Sequence, residues 1–162
     1  MSEVTTIERL QQQDWQRLKA LRLRSVHDSP KAFGTTLEEM NARVDVFWSQ
    51  QVATMACFAA YTLRPNGKYD IGLVRGTRDA VIAHQAWLLG MWIDPVSRGQ
   101  GLGLELCSAV LKWAQQLDGV SCLKLDVSTD NRAAIRLYER FGFKQCEGLD
   151  EKGDQLRYAY TW

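Results

Sequence analysis

Histidine is scarce, with two in 162 residues, and the four cysteines (Cys57, Cys107, Cys122, Cys146) stand far apart with no C-x-x-C pair. A metal site needs clustered ligands, so no metal centre is expected, and the cysteines read as small buried hydrophobes in a reducing compartment. No run of 18 apolar residues occurs, and the start, MSEVTTIERLQQQDW, is acidic and polar where a signal peptide has a basic segment and then an apolar one. A cytoplasmic protein with no membrane partner is expected. An excess of one charge is also lacking: 20 Lys and Arg against 19 Asp and Glu leave a net charge of +1, too little field to draw a nucleic acid. Low-complexity tracts, repeats and Pro/Gly/Ser-rich linkers are missing too. This leaves a single domain over residues 1–162, acting on a small molecule or a peptide.

What is present is a sizeable core, with 46% hydrophobic residues and six Trp, and a pattern of mixed elements. The spacing predicts a strand over Val4 to Leu10 and a helix over Trp15 to Val26 with Asp14 as its N-cap. A second helix is expected from Leu37 to Val52, opened by a capping box of Thr36 and Glu39. Ala56 to Leu63 and Tyr69 to Arg75, joined through Asn66-Gly67, form a hairpin. Ala83 to Ile93 reads as a central strand ended by Asp94-Pro95, followed by a helix from Leu102 to Leu117 and a strand at Leu123 to Ser128. A short helix over Asn131 to Arg140 ends at Gly142, and strands at Phe143 to Cys146 and Leu156 to Tyr160 complete the chain. Asp150, Glu151, Lys152 and Asp154 read as a solvated turn between those last strands.

The chemistry is concentrated in Arg98-Gly99-Gln100-Gly101-Leu102-Gly103, which follows a strand and opens a helix. Backbone N–H groups at such a turn converge on the positive end of the helix dipole, a site for a pyrophosphate. Glycine permits the positive φ values and keeps a β-carbon from holding the phosphate off. The loop has no Gly-Lys-Ser/Thr, which excludes a Walker loop, and its spacing is not the G-x-G-x-x-G of a dinucleotide fold.

The stretch from Gly90 through Met91, Trp92 and Ile93 to Gly103 resembles the acetyl-CoA signature of the GCN5-related N-acetyltransferase (GNAT) family, Arg/Gln-x-x-Gly-x-Gly/Ala after the fourth strand. Asn131 to Phe143 is similar to a second signature of that family, Asn-x-x-Ala-x-x-x-Tyr-x-x-x-Gly-Phe. The resemblance implies an α/β (α+β) fold. Its central sheet is mixed and mostly antiparallel, with six to seven strands, splayed fourth and fifth strands and about four flanking helices. It implies an acetyl-CoA-dependent N-acetyltransferase. Arg98, Gly99, Gln100, Gly101, Leu102 and Gly103 would hold the pyrophosphate. Met91, Trp92 and Ile93 would pair with the pantetheine or polarise the thioester, Asn131 and Ala134 would touch the cofactor, and Tyr138 would act as general acid at the sulfur.

The acceptor is an unidentified amine, read first as a small molecule's, next as a protein N-terminus or lysine; a non-catalytic acyl-CoA sensor is the reading from another class. Monomer and homodimer stay open. Loss of a proton from an amine of pKa about 10.4 costs about 4–5 kcal/mol at pH 7, so a base or water must take it. The family's central-strand glutamate has no counterpart among Trp87, Leu88 and Leu89. The loop Ser29 to Gly34 and the helix after it are expected to wall the amine pocket, with Phe33, Glu38 and Trp48 offering aromatic rings and a carboxylate to a cationic amine.

Overall fold

The computed structural model describes residues 3–147 and 153–162; Asp150, Glu151 and Lys152 of the expected turn lie outside the described residues. The strands are β1 (Thr5–Arg9), β2 (Ala56–Arg64), β3 (Gly67–Arg78), β4 (Gln85–Ile93), β5 (Cys122–Ser128), β6 (Lys144–Glu147) and β7 (Gln155–Thr161). They form one sheet in the order β1-β2-β3-β4-β5-β7-β6. β4 and β5 run parallel and every other neighbouring pair is antiparallel. Helices α1 (Trp15–Asp28), α2 (Leu37–Asn41) and α3 (Asp45–Thr54) lie between β1 and β2; α4 (Leu102–Gln115) joins β4 to β5, and α5 (Arg132–Phe141) follows β5. This is the mixed, mostly antiparallel architecture implied by the resemblance.

Five helices replace the expected four because the single helix over Leu37 to Val52 is broken. The capping box forms: Glu39 N–H donates to the Thr36 hydroxyl and Thr36 N–H to the Glu39 carboxylate, both at 3.1 Å. The helix then stops at Asn41, and Val44 is 66% exposed although the apolar stripe placed it inside. Met40 and the pair Trp48 and Val52 all enter one core. On one straight helix Met40 and Trp48 would face about 80° apart at 3.6 residues per turn, and the break removes that mismatch. Asp14 also departs from expectation: its side chain does not cap α1, and its carboxylate instead accepts from Gln11 N–H at 2.8 Å. At the hairpin tip only Gly67 takes a positive φ, 111°, and Asn66 does not.

Strand alternation supplies two cores. Ala60, Val74, Ala86 and Leu88 pack beneath α4 with Leu106 and Val110, whereas Cys57, Ala59 and Leu73 pack on the other face with Leu18, Leu21 and Trp48. β4 changes sides partway. Leu89 faces Arg75 and Trp92 faces Leu73, so Gly90 and Met91 together oppose Val74 in a β-bulge, with Gly90 at φ 58°. The extra residue inverts the alternation: Ala86 and Leu88 join the α4 core, but Trp92 joins the α1 core while Met91 and Ile93 pack on the α4 side.

Candidate active site

β4 and β5 pair only through Gln85–Cys122, Ala86–Leu123 and Trp87–Lys124 and then separate, β4 running on to Ile93 and β5 to Ser128. The expected splay is present. A cleft of about 410 Å³ opens where they part. Met91, Trp92 and Ile93 form one wall; Arg98, Gly99, Gly101, Leu102 and Gly103 form its floor; Asn131, Ala134 and Leu137 close the far side. The bulge sets this wall, because it turns the last three residues of β4 relative to the rest of the strand and leaves their outer backbone edge without a β5 partner.

The glycines of the loop serve different ends. Gly99 and Gly101 have φ of 77° and 83°, and a β-carbon on either would meet nothing within 4 Å, so their requirement is conformational and their outer face is open. Gly101 is the residue from which α4 starts. At Gly103 a β-carbon would lie 2.7 Å from the Leu137 side chain, so this glycine lets α4 and α5 approach closely. Gln100 is exposed and does not line the cleft.

One carboxylate ties this end of the site together. Asp28, at the end of α1, accepts from Arg98 Nη2 at 2.6 Å, from Trp92 Nε1 at 3.0 Å and from the Ser29 hydroxyl at 2.8 Å. Arg98 Nε also donates to the Ile93 carbonyl at 2.9 Å. Burial alone would raise the Asp28 carboxyl, but the donors from Trp92, Ser29 and Arg98 outweigh it and hold the carboxyl below its ordinary value. A depressed carboxyl stabilises the fold above the unfolded-state value near 3.9 and loses that contribution as pH falls through the folded-state value. Asp28→Asn is therefore expected to cost about 1–2 kcal/mol at pH 7, a fall of about 2–8 °C in Tm. The gap between variant and wild type should narrow as the pH falls below about 3.9 and close only below the folded-state value. A gap that persists there would show the loss to be one of shape and not of charge.

Asn131 caps α5, its Oδ1 accepting from Ala134 N–H at 3.2 Å, and faces the cleft. Tyr138, one position beyond Leu137, is only 6% exposed and sits behind the cleft wall, edge-on to Phe143 at 5.8 Å. Its hydroxyl makes no hydrogen bond to another described residue. Burial, with a smaller contribution from Cys107, pushes the phenol well above its ordinary value, so it holds its proton at neutral pH.

The three residues expected to wall an amine pocket are not brought together. Phe33 lines the cleft, Trp48 is 2% exposed and lines a separate pocket of about 150 Å³, and Glu38 is exposed and lines neither. Sequence reasoning missed two residues of that smaller pocket, Arg22 and Arg75. A signal was there: Arg22 falls on the Leu18/Leu21 stripe of α1 and Arg75 continues the Ile71, Leu73 alternation of β3, so each places a cation where a core residue is expected. Gly90, isolated within a strand pattern, was likewise a bulge signal.

The model for the acetyltransferase (GNAT) family matches residues 23–143, which include the cleft, the loop and the Asn131–Phe143 segment. The chain belongs to the GNAT acetyltransferase family. Among curated proteins, the spermine/spermidine N(1)-acetyltransferase of Bacillus subtilis is 32% identical over 99 residues, covering 61% of this chain and 59% of that enzyme. The match thus spans well under two thirds of the relative. A GNAT acetyltransferase of Streptococcus pneumoniae superposes with a TM-score of 0.73 at 25% identity, covering 98% of this chain and 100% of the other. NAA60 of Arabidopsis thaliana, solved in complex with acetyl-CoA, reaches a TM-score of 0.71 at 16% identity, with 98% of both chains covered, and shares the fold. Among the described residues no helix is long and apolar enough to cross a membrane.

Proposed function

We propose that this GNAT protein is an acetyl-CoA-dependent N-acetyltransferase that acts on the primary amine of a small molecule by direct attack in a ternary complex. The observation that carries the reading is the cleft between the parted ends of β4 and β5, which terminates on the open, left-handed glycine loop at the start of α4. The relative from Bacillus subtilis is named for spermine and spermidine, which supports a small amine as acceptor.

In this reading the amides from Gly99 to Gly103 take the pyrophosphate at the positive end of α4. The backbone of Met91 and Ile93 pairs with the pantetheine amides as an added strand would, and Asn131 and Ala134 flank the arm. The amine nitrogen bonds to the thioester carbon while an amide of Met91 or Trp92 polarises the carbonyl oxygen. The carbon–sulfur bond breaks, and the departing thiolate takes the proton of the Tyr138 hydroxyl, which solvent restores. Among the described residues none lining the cleft is Asp, Glu or His, so water takes both protons that the acceptor nitrogen sheds, one from the ammonium before attack and one from the adduct as the carbon–sulfur bond breaks.

A panel of amines with acetyl-CoA and a thiol-release readout tests the proposal. Release should depend on both substrates and yield an acetamide by mass spectrometry. Binding of acetyl-CoA in calorimetry, with no amine raising thiol release above hydrolysis, would leave only an acyl-CoA sensor.

A further inference from the structure

On the α1 side of the bulge, Arg22, Arg75 and Trp48 line the pocket of about 150 Å³, together with Gln51, Thr35 and Arg43. Among the described residues none that lines it is acidic. Arg22 is 8% exposed and stacks on Phe33 at 5.4 Å, and Arg75 Nη1 donates to Gln51 Oε1 at 3.1 Å. Nη1 of Arg22, Nε of Arg75 and Nε1 of Trp48 are buried without an acceptor.

Buried guanidinium groups without a counter-ion are costly, and buried donors left unpaired add to that cost. Burial first, then the charge of Arg75, pushes Arg22 down to about 9, so it remains charged at neutral pH. The nearby Cys57 thiol cannot compensate, since burial pushes it up to about 11 and leaves it neutral. The pocket is therefore a cationic site with no negative partner among the described residues.

Its position gives the partner a role. A β-carbon built on Gly90 would lie 2.8 Å from Nη2 of Arg75 and 3.1 Å from Nη1 of Arg22, so both cations press against the bulge that leads into the Met91–Ile93 wall of the cleft. We propose that this pocket binds a carboxylate of the acceptor, so that the amine acetylated belongs to an amino-acid-like molecule and not to a polyamine. The inference rests on the acetyl-transfer reading above. A carboxylate has the planar, two-oxygen edge that a guanidinium fork matches, and the pocket has room for about five waters' worth of volume at ~30 Å³ each. In an α-amino acid the nitrogen lies roughly 2.5 Å from the carboxyl carbon by standard bond lengths, so an anchored carboxylate holds the amine close to the bulge. The polarity is the reverse of the carboxylate wall expected from Glu38.

Three measurements on the full chain test this. Acetyl-CoA calorimetry stands apart, since failure to bind would overturn the acetyl-transfer reading instead. Thermal melts of wild type in sodium acetate, against matched sodium chloride and sodium phosphate, should show a rise specific to acetate. Arg75→Met should melt at the same or a higher temperature than wild type in chloride, because a buried unpaired cation is removed, and should lose the acetate response. A lower melting temperature with an unchanged acetate response, or a rise with phosphate alone, would overturn the proposal. In thiol release, L-amino acids should exceed their C-terminal amides and spermidine at least about tenfold in kcat/KM. Equal rates for acids and amides, or a preference for spermidine, would overturn it even if Arg75→Met fails to fold.

Discussion

Gly101→Val is expected to raise the dissociation constant for acetyl-CoA at least about thirtyfold in calorimetry. Gly101 holds φ at 83° at the point where α4 begins, and a β-branched residue there costs about 1–2 kcal/mol of backbone strain. The loop has an escape, since no atom lies within 4 Å of the new β-carbon, and it relieves the strain by moving. Movement turns the amides away from their common focus. Loss of two amide contacts at about 1 kcal/mol each accounts for the thirtyfold figure at 1.4 kcal/mol per decade. The melting temperature should change little, because the strained segment is solvent-facing. Gly103→Ala is the contrasting control, as its β-carbon meets Leu137 and perturbs the packing of α4 on α5. Unchanged affinity in Gly101→Val would remove the loop from the binding site.

The second large effect concerns turnover. Tyr138→Phe should lower kcat about a hundredfold and leave the Michaelis constant for acetyl-CoA nearly unchanged, since the hydroxyl acts only once charge builds on sulfur. The buried phenol keeps its proton at neutral pH, as a proton donor must. Because the hydroxyl has no hydrogen-bond partner among the described residues, its removal should leave the melting temperature within about 1 °C, which separates a catalytic loss from a packing one. Wild-type turnover at saturating substrates would assign the ring to the core beside Phe143 alone.

Features dictated by a few adjacent residues were legible in the sequence. The Thr36–Glu39 capping box, the glycine loop from Arg98 to Gly103 and the Gly142 end of α5 are local devices, and each forms as the spacing predicts. What escaped was decided by distant packing. Met40, Val44 and Phe47 fit an uninterrupted helix by spacing, and only the competition of Trp48 and Val52 for the same core breaks it. The bulge at Gly90 depends on pairing with Leu73 and Arg75, which a strand read in isolation does not contain. Arg22 and Arg75 come together only when α1 crosses β3, although each is out of place in its own apolar pattern.

A strand that changes sides midway constrains how this chain can diverge. Substitutions along β4 alter one side chain at a time, but one at Gly90 that forbids its φ of 58° and straightens the strand without shortening it would restore plain alternation and transpose the last three residues together. Trp92 would swing out of the α1 core, abandoning its hydrogen bond to Asp28 and its place beneath Arg24, while Met91 and Ile93 would be driven into the space it left. Most positions of a strand can be exchanged one at a time; here a single glycine decides which way three residues face, so lineages descending from this sequence should vary the other residues of β4 far more freely than Gly90.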